Sequence, residues 1–200
     1  WVGEDRGFEL HRLLAIAHTN LEQYGPALAN ARRALQVIPL RERLGEAGVE
    51  LLQLGLAAAF EAGAFEDVVT FGEELQGRIE PDREFQFFAQ LAAGHLALDN
   101  PGRALQIAEA VLVADRAGTI VAYDDDRSDL FWVAFQASLG VEDTAIMEMW
   151  AGEFLPYVTG DRRRPYFEAL SRFRASRGEG VAARANLLEV LNTTPEPEFY

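Results

Sequence analysis

Cysteine is absent from the 200 residues, and so is lysine, for all eighteen basic residues are arginine. The first absence excludes disulfides, thiolate catalysis, iron–sulfur clusters and cysteine-bound zinc. The second removes phosphate-loop lysines, Schiff-base chemistry and Ser–Lys dyads. Histidine is scarce: three residues, at positions 11, 18 and 95, with no order that supports a Ser–His–Asp triad or a metal set. Basic charge is also short. Thirty-two acidic residues outweigh the eighteen arginines, and the resulting charge of -14 repels phosphate backbones and anionic lipid. No direct nucleic-acid partner is expected. No apolar run reaches the roughly 18 residues of a membrane span, and no secretory leader is expected. No membrane partner is expected either, and the compartment expected is the cytoplasm. The composition, rich in Ala, Gly and Arg, suits a GC-rich bacterial genome. The chain opens on Trp1 without Met, so it is expected to be a piece of something longer, with flanking domains left open.

What is present is the material of a folded protein. Hydrophobic residues make up 49% and charged residues 25%, richer in apolar groups than disordered chains are. At 22.2 kDa the chain holds one substantial core or a short array of repeats.

Repeats are visible. Leu14 and Ala15 precede a turn at Tyr24-Gly25-Pro26, after which Ala27, Ala31 and Ala34 recur every three or four residues before Pro39. Such a stripe of small residues lets one helix approach another closely. The pattern returns as Leu170, the turn Arg177–Gly180, then Ala183, Leu187, Val190 and Pro195. A third copy has Leu91-Ala92, the turn Asp99–Gly102, then Ala104, Ala108 and Val111, with Gly118 ending the helix. Looser copies run through Gly63 to Val68, Gly72, Leu75 and Pro81, and through Gly140 to Ala145, Met149, Gly152 and Pro156. With Ala27, Val68, Ala104, Ala145 and Ala183 as equivalent anchors, the spacings are 41, 36, 41 and 38 residues.

This pattern resembles the tetratricopeptide repeat family over nearly the whole chain. Leu14, Ala15, Ala27, Ala34 and Pro39 match that family's positions, and Leu54-Gly55 restores its Leu-Gly pair. His11 and His18 stand where Trp and Tyr are usual, and Leu54-Gly55 lies one residue too far from Gly63. A related helical-hairpin solenoid with longer units stays open. The resemblance implies an all-α fold, a right-handed superhelix of about five stacked antiparallel hairpins in a single domain over 1–195. The units are expected at about 8–40, 47–81, 84–117, 128–157 and 164–195, followed by a flexible tail at 196–200. Each hairpin has an apolar face that only its neighbours can cover.

The segment from Ala114 to Asp129 reads as a loop, with Asp126 or Ser128 capping a helix that begins near Asp129. Asp124, Asp126 and Ser128 mimic part of a calcium loop, but Asp129 stands where Gly is needed and Phe135 where a bidentate Glu belongs. Gly178-Glu179-Gly180-Val181-Ala182-Ala183 fits a dinucleotide fingerprint, yet the helical period of Phe167–Ser176 puts no strand before it. Arg162-Arg163-Arg164 could hold a phosphate or an acidic peptide, or could neutralise nearby acidic helices. His18 and His95 both precede their anchor by nine residues and read as packing positions. No cofactor, metal ion or catalytic residue is expected.

In the resembled family the first helix of each hairpin lines the concave face. That rule places Arg12, Ile16 and Asn20 on it from the first unit, and Leu52 and Leu56 from the second. Gln86, Ala89, Ala93 and Leu96 follow, then Arg127, Leu130 and Ala134, then Glu168 and Arg172. An apolar floor with polar ends suits a peptide or an amphipathic helix. The expected function is thus a non-catalytic protein–protein interaction module, a scaffold whose floor is open to a partner, to self-association or to flanking domains. The alternative is a ligand- or peptide-sensing region of a bacterial transcription regulator, and a third reading is an unrecognised helical enzyme.

Overall fold

The computed structural model describes residues 2–38, 43, 45–80, 83–120, 122, 124–141 and 143–193, and the side chains of 2–5, 124, 125, 192 and 193 are left aside. Pro39, Pro81, Pro195 and the tail at 196–200 lie outside this set. The fold is all-α, with no strand among the described residues. The helices are α1 (Val2–Asn20), α2 (Tyr24–Val37), α3 (Glu46–Glu61), α4 (Phe65–Leu75), α5 (Glu84–Ala97), α6 (Pro101–Arg116), α7 (Asp124–Gly140), α8 (Thr144–Phe154), α9 (Arg163–Ser176) and α10 (Gly180–Thr193). Two short 3-10 turns, Leu155–Tyr157 and Gly160–Arg162, separate α8 from α9. The chain forms two compact units, Trp1–Ala137 and Ser138–Tyr200, with the boundary inside α7.

Four of the helix pairs turn in the same way. Glu22, Gly63, Asp99 and Gly178 each adopt left-handed φ, at 56°, 68°, 57° and 79°. The amide of the next residue, Gln23, Ala64, Asn100 or Glu179, donates to the carbonyl five residues back, on His18, Ala59, His95 or Arg174, over 2.8–3.0 Å. This closes the end of one helix and aims the chain into the next. Each anchor, Ala27, Val68, Ala104 and Ala183, follows its left-handed residue by five positions and is buried. Left-handed φ costs a residue with a Cβ about 1–2 kcal/mol. Glu22→Gly removes that cost and adds back part of it as backbone entropy. It is expected to stabilise the first unit by about 0.5–1 kcal/mol in urea titration.

In the first unit each helix packs on its successor from α1 to α6, and α1 also meets α3. Along α3 and α4 the seam uses absent side chains. A Cβ on Gly55 of α3 would sit 3.0 Å from the Phe71 ring on α4 and 3.4 Å from Ala31 on α2. One on Gly72 of α4 would meet Leu91 of α5 at 2.7 Å and Leu56 of α3 at 3.5 Å. Ion pairs join corresponding helices of successive hairpins: Arg12 of α1 to Glu50 of α3 at 2.8 Å, and Arg32 of α2 to Asp67 of α4 at 2.9 Å. Both pairs are partly exposed, so they guide register more than they add stability.

The segment expected as the fourth hairpin departs from its frame. Helix α7 starts at Asp124, five residues before the expected Asp129, so Asp126 and Ser128 lie within it and not at its cap. Acidic residues at a helix start oppose the positive end of its dipole, which is why a polar run becomes helix here. Gly140 has no left-handed turn; Asp143 caps α8 by accepting from the amides of Ala145 and Ile146 at 2.9 and 3.2 Å. Ala145, Met149 and Gly152 are therefore exposed, and Met147, Trp150, Ala151 and Phe154 form the buried side. The first turn is also displaced: Pro26 stands inside α2, and the chain reverses at Leu21–Gln23. At the other end Leu187 is half exposed and Asn186 takes the buried position.

In the second unit α9 packs along α10. Tyr166 donates its hydroxyl to the Ala151 carbonyl at 3.0 Å and meets Phe154 edge to face, tying α9 to α8. Burial holds the Tyr166 phenol above its ordinary value. Gly178 and Gly180 belong to the α9–α10 turn, with helix on both sides and no sheet edge for a dinucleotide.

Candidate peptide-binding cleft

Two helices that each open a hairpin, α3 and α5, border a cleft of about 140 Å³. Leu56, Ala57, Leu75, Ile79 and Phe87 give it an apolar base, and Gln53, Gln86, Gln90 and Arg83 stand at its walls. Gln86 and Gln90 are one turn apart and so share a face of α5. Among the described residues none of the three glutamine amides has an intramolecular hydrogen bond, and the Arg83 guanidinium has no carboxylate. Each free amide offers two donors and an acceptor. That is the complement of an extended peptide backbone.

The residues expected on a concave face differ in burial and in partners. Leu52, Leu56 and Leu130 are 0%, 3% and 0% exposed, and Ala134 is buried as well. Leu52 and Leu130 are core and present nothing to a partner. Leu56 reaches the cleft only as part of its base, and with Gln86 it is one of two expected residues brought together there. Ile16, Ala89, Ala93 and Leu96 are half-buried, while Asn20 is exposed. Arg12 is engaged by Glu9 and Glu50, which hold its guanidinium far above the ordinary range, and it lowers the Glu9 carboxyl in return. Arg127 lies in a two-point pair with Asp115 at 2.8 and 2.9 Å, clasping α7 to α6. Glu168 is half-buried and Arg172 exposed on α9 of the second unit.

Gln53, Arg83 and Gln90 were missed. On α3 the cleft is lined by Gln53, Leu56 and Ala57, where Leu52 and Leu56 were expected. The signal was a polar Gln53 inside the otherwise apolar run Leu51–Ala59, with Gln86 and Gln90 four residues apart.

The other constellations settle into intramolecular roles. Arg163 reaches Glu189 at 3.2 Å and lies 5.8 Å from the Phe167 ring, and Arg164 reaches Glu168 at 2.8 Å. The arginine run thus neutralises neighbouring carboxylates. Among the described residues no three His, Asp or Glu side chains gather as a metal set, and no helix is long and apolar enough to cross a membrane. His11 meets the Asn30 side chain at 3.0 Å and His18 that of Gln23 at 2.8 Å, both on α2 or its approach. No protein-family model matches the chain, and no curated protein matches it.

His95 is 6% exposed, and its Nε2 has no partner among the described residues. Burial lowers its pKa first, Arg103 on α6 lowers it further, and Glu73 on α4 opposes them. The folded state therefore keeps His95 neutral while the unfolded chain takes a proton near pH 6.5. Stability is unaffected above that pH and falls as pH drops below it toward the folded pKa. His95→Gln is expected to remove this fall, measured as the urea midpoint at pH 7.5 against 5.5; an unchanged pH dependence contradicts it.

Proposed function

We propose that the first unit is a tetratricopeptide-like stack in which α1–α2, α3–α4 and α5–α6 follow one another as a right-handed superhelix. Its function on this reading is non-catalytic: it holds an extended peptide of another protein in the α3–α5 cleft. The observation that carries the reading is the set of three unpartnered amides of Gln53, Gln86 and Gln90 over an apolar base. Glutamine amides would pair with peptide N–H and C=O groups, and the base would take one or two apolar side chains. The repeated turn at Glu22, Gly63 and Asp99 and the ion pairs between corresponding helices support the stacked arrangement. The engagement or burial of the three histidines supports a non-catalytic role.

Peptides selected from a random displayed library on the whole chain give the test. A net intramolecular or interfacial hydrogen bond contributes about 0.5–1.5 kcal/mol. Replacing Gln53, Gln86 and Gln90 together by Ala should therefore weaken the selected peptides at least about tenfold, with the far-ultraviolet dichroism unchanged. Equal binding to the variant, or a selection that enriches no sequence, overturns the reading.

A further inference from the structure

A second cavity, of about 500 Å³, opens elsewhere in the first unit, between the end of α4, the start of α5 and the length of α6. Its size falls within the range of about 300–1,000 Å³ common to small-molecule sites. Phe88, Ile107, Ala110, Val111 and Ile120 make most of its lining apolar. One positive charge faces it, Arg103.

Arg103 differs from the other half-buried arginines of this unit. Arg12, Arg43 and Arg127 each hold a carboxylate, in a chain where carboxylates outnumber arginines by 32 to 18. The Arg103 guanidinium holds none among the described residues; it donates only to the neutral Gln106 side chain, at 2.6 Å. Glu84 also lines the cavity but lies beyond ion-pair distance of it. A guanidinium at an apolar wall, with its fork only partly engaged, has the geometry for a planar two-oxygen anion. Glu84 repels an anionic head at its own end, which fixes the orientation.

We propose that this cavity binds a small carboxylate with an aliphatic tail, of the medium-chain fatty-acid kind. Its carboxylate lies on Arg103 and its tail among Phe88, Ile107, Val111 and Ile120. This site is separate from the peptide cleft and does not depend on it.

The test is calorimetric titration of the whole chain with three ten-carbon probes: decanoate, decanol and decyltrimethylammonium. Decanoate should bind, shifting the methyl resonances of Ile107, Val111 and Ile120, while the alcohol binds at least about tenfold more weakly and the cation not at all. Arg103→Met keeps the apolar stem and should weaken decanoate about tenfold or more. Ala110→Trp, at an exposed lining position, should block it while dichroism stays unchanged. The proposal is overturned if decanoate gives no heat up to about 1 mM, the weak end of specific association. It is equally overturned if decanol or the cation binds as well as decanoate, or if Arg103→Met changes nothing.

Discussion

Leu52→Asp is expected to unfold the first unit, not to trim a surface contact. Leu52 is fully buried on α3, and α3 packs against α1, α2 and α4. Removing the leucine alone costs about 2–5 kcal/mol through lost transfer energy and the cavity left behind. An unpaired carboxylate at that place adds several kcal/mol, whether it stays ionised or takes a proton to avoid doing so. The sum approaches or exceeds the whole stability of a typical domain, about 5–15 kcal/mol. Far-ultraviolet dichroism should show the loss of much of the helix. One residue further on, Gln53 is half-buried at the cleft, and Gln53→Asp should leave the dichroism intact and change stability by no more than about 0.5–1 kcal/mol. A folded Leu52→Asp beside an unfolded Gln53→Asp would mean that α3 is rotated from the orientation described.

Phe154→Ala should be nearly as costly in the second unit. Phe154 is 0% exposed at the end of α8, and its ring lies 5.8 Å from that of Tyr166 at 65°. Truncating a buried phenylalanine costs about 3–5 kcal/mol, and the edge-to-face contact is part of that loss. A unit of this size buries a smaller share of its surface than a large domain, so this is a large fraction of what holds it. Denaturant titration, with amide exchange read over 144–193, should show the decrease there. Tyr166→Phe is the gentler counterpart: it loses the hydroxyl bond to the Ala151 carbonyl and should cost about 0.5–1.5 kcal/mol. A loss below about 1 kcal/mol for Phe154→Ala would contradict the packing of α8 on α9.

The parts of the fold that were legible share one cause. Where a left-handed residue ends a helix, the next buried residue follows five positions later, so Ala27, Val68, Ala104 and Ala183 could be aligned on their turns. Ala145 could not, because Asp143 sets the start of α8 through a side-chain cap and shifts the buried stripe to Met147 and Trp150. The start of α7 was hidden by its own acidity, since consecutive aspartates suit both a loop and the positive end of a helix.

The candidate site was less legible for a different reason. Helix α3 is apolar around most of its circumference, with Leu51, Leu52, Leu54, Leu56, Ala58 and Ala59, and its outward side is marked only by the widely spaced Glu46, Glu50, Gln53 and Glu61. The family rule chose Leu52 and Leu56, whereas the cleft is lined on α3 by Gln53, Leu56 and Ala57. Helix α5 carries Gln86 and Gln90 on one side, and there the expected face and the observed cleft agree at Gln86.

Helices α3 and α4 are each held between predecessor and successor at a glycine, Gly55 and Gly72, where a side chain is missing. The most direct measurement is the nuclear Overhauser spectrum of Gly72 on α4. Its Hα protons should show cross-peaks both to the Leu91 methyls of α5 and to the Leu56 methyls of α3, since the space beside Gly72 is filled from both sides. Cross-peaks to one of these leucines alone, or to neither, would contradict the stacked arrangement.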